Sequence, residues 1–282
     1  EMRRGLSPPP HFYILVGAMI KLIVSDIDGT LLPYGKTELD AELFSLIRRL
    51  RERGVIFCPA SGRQYHSLRA LFAPVCDELT YLCENGAILY GPGPEDSAPV
   101  LGKTVMERSM ALELIHDIAA LPGGRPLISG ANTTYVLAGD PEFEEYMRTN
   151  KGNKVGVLAR PEDMPEDVIK LAAYCPEGTS PTRHALGPKW DGLLSMASAG
   201  PDWVDFTIAD KALGLRTLCS ALGIALEDTA AFGDNWNDAP MLSLAGRGYI
   251  MAASDPNLRA QFPLQCENVE LVLQNFLETG EI

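Results

Sequence analysis

The stretch that constrains this chain most is Leu22-Ile-Val-Ser-Asp26-Ile-Asp28-Gly29-Thr30-Leu-Leu. A short apolar run closed by polar and turn residues reads as a buried strand of a parallel sheet. Ligands in such sheets gather at the carboxyl ends of the strands, so Asp26 and Asp28 emerge where chemistry is done. Two acids this close repel each other unless a cation or a shared proton compensates. A plainer reading stays open here, a strand running into an ordinary Asp-Gly-Thr turn. What else the chain places at strand ends decides between the two.

Leu39, Leu43, Leu46, Ile47 and Leu50 repeat at helical spacing, with Arg48, Arg49, Arg51 and Arg53 on a solvated face. Thr37 with Asp40 reads as an Asp-for-Glu variant of a capping box, and Gly54 closes the helix. Residues 55–60 form a second apolar run that ends in Ser61-Gly62-Arg63. This opening is a β-α-β unit with a right-handed crossover. A helix over 64–72, a third strand over 79–83 and the turn Glu84-Asn85-Gly86-Ala87 follow. Strict alternation then lapses. A hairpin (88–90 with 100–105), helices at 107–121 and 143–149, and strands at 126–129, 133–137, 155–158 and 169–174 suggest an α+β insert. Its Arg148, Lys151 and Lys154 read as a solvated face, and Trp190 and Trp203 as packing residues. Alternation resumes at Trp203. The helix 212–222 follows Asp210-Lys211, and the strand 228–232 ends in Gly233-Asp234-Asn235-Trp236-Asn237-Asp238. The expected fold is α/β, a Rossmann-like doubly wound parallel sheet made of 19–86 and 200–282, with the α+β insert at 87–199. Residues 1–18 read as an extension ahead of the fold.

Composition narrows the function classes. A net charge of −13 with no basic run argues against an extended nucleic-acid surface. An acidic chain that takes phosphorylated substrates needs a cation or a local basic pocket at the site. The six cysteines form no C-x-x-C pair and the four histidines no zinc pattern, which fits reduced thiols of a cytoplasmic protein. No run reaches the ~18–20 apolar residues of a membrane span. The run 12–18 has a signal-peptide look, but it flows into the first strand, and cleavage there would trim the core.

Asp26 and Asp28, Ser61, Lys211, and Asp234 and Asp238 thus recur at strand ends or helix starts of one layer. Singly, each has a bland alternative: a helix cap, a surface charge, a turn. Together they make a kit for phosphoryl transfer. One carboxylate can act as nucleophile and form an aspartyl-phosphate, while a second protonates the leaving oxygen and then activates water. Mg²⁺ prefers few oxygen ligands and bridges to phosphate. A hydroxyl and a lysine can hold the non-reacting oxygens, helped by backbone N–H groups near Thr30 and Gly62.

Asp-Ile-Asp-Gly-Thr (26–30), Ser-Gly-Arg (61–63), Lys211 and Gly-Asp-Asn-Trp-Asn-Asp-Ala-Pro-Met-Leu (233–242) resemble the four motifs of the haloacid dehalogenase-like superfamily. The resemblance is strongest to its Cof-type phosphatases of subfamily IIB, whose α+β cap lies between the second and third motifs. It implies Asp26 as nucleophile and Asp28 as acid/base. It implies Mg²⁺ held by the Asp26 carboxylate, the Asp28 carbonyl and Asp234, with Asp238 in the site or just behind it. Ser61 and Lys211 would grip phosphate, and Arg63, Asn85 and Asn237 would lie near substrate. Three departures stand out: Lys211-Ala212 in place of Lys-Gly, with glycine delayed to Gly214, Ala-Ala-Ser-Asp-Pro after Met251, and Glu267-Asn-Val269-Glu near the C-terminus. The expected activity is hydrolysis of phosphomonoesters of small metabolites, sugar phosphates first, with flavin mononucleotide or pyridoxal phosphate as alternatives. Phosphotransfer or mutase chemistry on the same machinery and a non-catalytic sugar-phosphate binder are the other readings. Two intact acids weigh against the binder.

Overall fold

The computed structural model describes residues 19–149 and 153–282. The expected extension 1–18 and Lys151 lie outside them. The chain opens with β1 (Leu22–Ser25), α1 (Ala41–Glu52), β2 (Ile56–Pro59), α2 (Tyr65–Leu71), β3 (Tyr81–Cys83), β4 (Ile88–Tyr90) and β5 (Val100–Lys103). It continues with α3 (Arg108–Ala119), β6 (Arg125–Ser129), β7 (Thr134–Leu137), α4 (Pro141–Thr149), β8 (Val155–Leu158), β9 (Lys170–Tyr174), α5 (Thr179–Trp190), β10 (Ser195–Ser198) and β11 (Trp203–Thr207). The last part is α6 (Lys211–Leu222), β12 (Thr229–Gly233), α7 (Ala239–Leu244), β13 (Arg247–Met251), α8 (Pro256–Arg259), β14 (Leu264–Cys266) and α9 (Val269–Thr279).

Five strands form a wholly parallel sheet in the order β14-β13-β12-β1-β2. Strand β1 sits inside it, and its alternating side chains show why both faces are covered. Ile23 packs with Leu43 and Leu46 of α1 and Leu273 of α9, whereas Leu22 and Val24 pack with Leu215 and Leu218 of α6 and Met241 of α7. Each such buried aliphatic side chain contributes about 1.5–3 kcal/mol. The sheet is therefore wound on both sides, and all its strand ends open toward one rim.

Local signals decide the helix starts. At α1 the N-cap is Asp40, whose carboxylate accepts from the Glu42 amide at 3.0 Å. The expected Thr37 box is not used, because a carboxylate one residue before the helix already satisfies a free amide there. At α6, Asp210 accepts from the Leu213 amide at 2.7 Å, and the left-handed Gly223 ends the helix.

Two segments belong elsewhere than their patterning suggested. The hairpin β4–β5, expected to open the insert, pairs with β3 in a three-stranded antiparallel sheet. It lies against α6, where a side chain on Gly102 would meet Thr217. Strand β11, read as the return to the core, is instead paired antiparallel with β9 and β10. It completes a six-stranded sheet in the order β10-β11-β9-β6-β7-β8. Strands β4 and β11 are both buried from end to end, and only their non-local partners tell which sheet each joins. The second sheet encloses its own apolar cluster, including Ile115, Leu171, Trp190 and Phe206.

Candidate active site

At the carboxyl end of β1 the chain delivers Asp26, whose amide donates to the Phe232 carbonyl of β12 at 2.9 Å. That bond fixes the Asp26 backbone to the neighbouring strand end. The Asp26 side chain is buried and accepts from Lys211 Nζ, and the same ammonium donates to Asp238 Oδ1 at 2.6 Å. Lys211 is the first residue of α6, so the Asp210 cap sets where its side chain begins. Burial works against the Lys211 ammonium, but Asp26 and Asp238 outweigh it and hold it charged. Burial pushes the Asp26 carboxyl up, to about 7, with Lys211 pulling the other way.

Asp238 is fully enclosed. Its second oxygen accepts from the Asp234 and Asn235 amides, both at 3.1 Å, so it folds the loop after β12 and anchors Lys211 at once. Asp234 keeps a freer carboxylate, with one oxygen accepting from the Tyr34 hydroxyl at 2.9 Å. Burial raises the Asp234 carboxyl as well. One carboxylate oxygen from each of Asp26, Asp234 and Asp238 lies within 4.8 Å of the others. This all-oxygen set fits a small hard cation such as Mg²⁺. Asp26 and Asp234 retain oxygen lone pairs for it, while both Asp238 oxygens already accept protein hydrogen bonds.

The side chains of Asp26, Asp28, Ser61, Asn85, Lys211 and Asn237 line one cleft of about 1040 Å³ between the core strand ends and the inserted sheet. Gly62 and Arg63 line it too. Gly62 is where the backbone comes close, since a Cβ there would stand 3.1 Å from Asn85 Nδ2. Asp28 reaches the cleft in a forked pair, accepting from Arg63 Nε at 3.0 Å and from its Nη2 at 2.5 Å. Thr30 is placed differently. It is buried beside a second cleft of about 700 Å³, on the far side of Tyr34, and its hydroxyl has no partner among the described residues.

The structure also brings in groups that sequence patterning passed over. Glu84, Lys170 and Asp205 make a buried ionic cluster on the cleft floor, with Lys170 Nζ 2.5 Å from Glu84 and 3.2 Å from Asp205. A lysine and an aspartate each interrupting an apolar strand was the available signal. Leu127, Met147 and Trp203 add an apolar part to the cleft lining. Trp203 packs on Tyr174 with ring centroids 5.1 Å apart, so it is both packing residue and cleft wall.

Comparison with known proteins identifies the family. The family model described as haloacid dehalogenase-like hydrolase matches residues 23–270. A 5-amino-6-(5-phospho-D-ribitylamino)uracil phosphatase, YbjI of Escherichia coli K12, is 26% identical over 82% of this chain and 85% of its own length. An HMP-PP phosphatase of Cronobacter sakazakii is 27% identical over 87% of this chain and 89% of its own. The solved structure of the subclass IIB sugar phosphatase BT4131 shares the fold, with a TM-score of 0.71 at 18% identity, covering 91% of this chain and 98% of the other. Among the described residues no helix is long and apolar enough to cross a membrane.

Proposed function

The chain belongs to the haloacid dehalogenase-like hydrolases, as a Cof-type phosphatase, and from that premise we propose that it hydrolyses phosphomonoesters of small metabolites with Mg²⁺ through an aspartyl-phosphate on Asp26. The observation that carries this reading is the buried Lys211 ammonium joining Asp26 to Asp238 at the bottom of a cleft that also holds Ser61 and Asp28. A carboxylate beside a fixed cation, at converging strand ends, is poised to attack phosphorus.

In this mechanism an Asp26 oxygen bonds to phosphorus as the phosphorus–oxygen bond to the leaving group breaks. Asp28 hands a proton to the departing oxygen, then takes one from the water that attacks the aspartyl-phosphate. Inorganic phosphate leaves and the Asp26 carboxylate is restored. Lys211, the Ser61 hydroxyl and the backbone near Gly62 hold the non-reacting oxygens. Arg63 positions the ionised Asp28 through its fork and frees one oxygen when Asp28 carries the proton, and Asn85 and Asn237 stand by for the ester's polar groups. Mg²⁺, held by Asp26 and Asp234, would offset phosphate charge during attack.

The insert of this proposed enzyme is assigned to about 104–208, the segment that builds the six-stranded sheet. The apolar wall of Leu127, Met147 and Trp203 favours a leaving group with a planar ring or carbon face beside its hydroxyls. Ribityl and sugar phosphates fit that description, as the named activities of the relatives do. Six free thiols suit a cytoplasmic location.

The test is inorganic phosphate release from a panel of phosphorylated metabolites, with Mg²⁺ and with EDTA, using wild type and Asp26→Asn. Mg²⁺-dependent turnover lost in the variant is expected. Equal turnover by Asp26→Asn would remove the nucleophile assignment, and phosphate passed to a second sugar in place of water would favour transfer.

A further inference from the structure

Lys170 stands at the join between the two layers. It opens β9 of the inserted sheet, yet its ammonium reaches core groups: the Glu84 carboxylate at 2.5 Å and the Gly62 carbonyl at 3.2 Å. Its third partner, Asp205 on β11, belongs to the inserted sheet itself, at 3.2 Å. All three side chains are buried. The Glu84 carboxylate has no hydrogen-bond donor among the described residues other than this ammonium.

The turn that carries Glu84 is unusual. Glu84 and Asn85 both take left-handed backbone, with φ of 50° and 55°. Non-glycine residues stay in that region when their surroundings over-determine it. Here the Glu84 amide donates to the Arg63 carbonyl at 3.1 Å and the Asn85 amide to the Ser61 carbonyl at 2.9 Å. The turn Glu84–Gly86 and residues 61–63 are therefore one strapped unit, and Lys170 is its third point of attachment, supplied by the insert. If the insert lifts away, Lys170 keeps Asp205, whereas Glu84 loses its one charge partner and must take water instead. The ammonium can thus exchange a core partner for none without becoming unpaired, which makes its docking reversible.

We propose that Lys170 is a positioning residue that couples seating of the insert to the shape of the phosphate-gripping turn at 61–63. The inference rests on the phosphatase reading above and deepens it: an ester is gripped at its phosphate end only while the insert is closed over its leaving group. Small esters that fill little of the cleft then gain little from closure.

The test uses Lys170→Met, Lys170→Arg and Glu84→Gln in the full chain, each checked for folding by circular dichroism. Hydrogen exchange is followed in peptides covering 60–64 and 82–87, without substrate, and scattering gives the radius of gyration. For Lys170→Met, faster exchange in both turns and a larger radius are expected, with KM for the best ester raised on the order of 10- to 100-fold and kcat changed far less. Lys170→Arg, which can still bridge Glu84 and Asp205, is expected to restore most of the KM. Should Lys170→Met not fold, Glu84→Gln carries the exchange measurement, with the same direction expected in 60–64. Wild-type exchange in both turns together with wild-type KM in a folded Lys170→Met or Glu84→Gln would overturn the proposal. If the wild type hydrolyses no ester, the reaction assignment fails while exchange and scattering still decide the docking.

Discussion

Gly214 is the residue at which two general rules give opposite signs. It lies in the second turn of α6, so replacing it with alanine should stabilise the helix by about 1 kcal/mol if only propensity mattered. The packing says otherwise. A Cβ at Gly214 would stand 2.7 Å from the Gly86 Cα and 2.8 Å from a Leu82 methyl. Carbon atoms settle at about 3.5–4.0 Å, so helix and turn must part by close to 1 Å. Neither side yields easily, because Gly86 holds φ of +94° and its own Cβ position faces the Asp210 carbonyl. Overpacking of this kind costs about 1–3 kcal/mol, and a contact between two backbones belongs at the upper end. The net expectation for Gly214→Ala is destabilisation by about 2 kcal/mol, a fall in Tm of about 3–4 °C in a chain of this size. The same displacement moves Lys211, three residues earlier, away from Asp26, and a misplacement of ~1 Å can lower turnover up to about 10²-fold. Calorimetry and phosphate release on one preparation read both effects. A Gly214→Ala protein with raised Tm and unchanged kcat would refute the close-packing account and leave helix propensity as the governing term.

Three further outcomes are expected, two of them at the site. Arg63→Lys keeps the charge but loses the fork on Asp28. Because the pair is partly exposed, stability should change by less than about 1 kcal/mol while kcat/KM falls on the order of tenfold, and equal losses in both would argue that Arg63 is merely structural. In metal-free protein, the raised Asp26 carboxyl means the folded form binds more protons than the unfolded form from the ordinary carboxylate range up to about 7, so this group's contribution to stability falls as pH rises through that window. Mg²⁺ should therefore raise Tm more at pH 8 than at pH 5, an effect absent from Asp234→Asn, and an equal shift at both values would contradict the assignment. Finally, Cys76 is half-buried and the other thiols are buried, with burial pushing Cys58 and Cys83 upward. A chromogenic disulfide reagent should titrate a single fast thiol in the native protein, lost in Cys76→Ser.

What the chain announced in advance is physically instructive. The segments β1, β2 and β12 are short apolar runs that are buried from end to end or nearly so, and each stops at a polar turn, so strand and site were visible together. Asp26 and Asp234 stand out for the same reason, whereas Lys211 is marked by its place just after the Asp210 helix cap. Pairing partners were not visible, because an apolar run carries no mark of the sheet it joins. That is how β11 passed for a core strand and the β4–β5 hairpin for part of the insert. The strands β10 and β14 are too short and too polar to show a period, and α5 contains Pro188, which argues against a helix until the surrounding structure is seen. The delayed glycine of the third motif stood out as a departure, and the close approach of Gly214 to Gly86 supplies its physical use.

The position of β1 sets a schedule for the molecule's birth. Its neighbour β12, which carries Asp234 and Asp238 at its end, is encoded ~200 residues later, so at about 5–20 residues per second a ribosome needs roughly 10–40 s to complete the sheet around Asp26. During that interval the whole inserted sheet emerges and can fold between two halves that are not yet joined. One edge of an apolar strand waits unpaired throughout, a natural client for a chaperone. The carboxylate cluster does not exist on the nascent chain, and a product broken off before β12 would lack Asp234 and Asp238, two of the three acids of the proposed site.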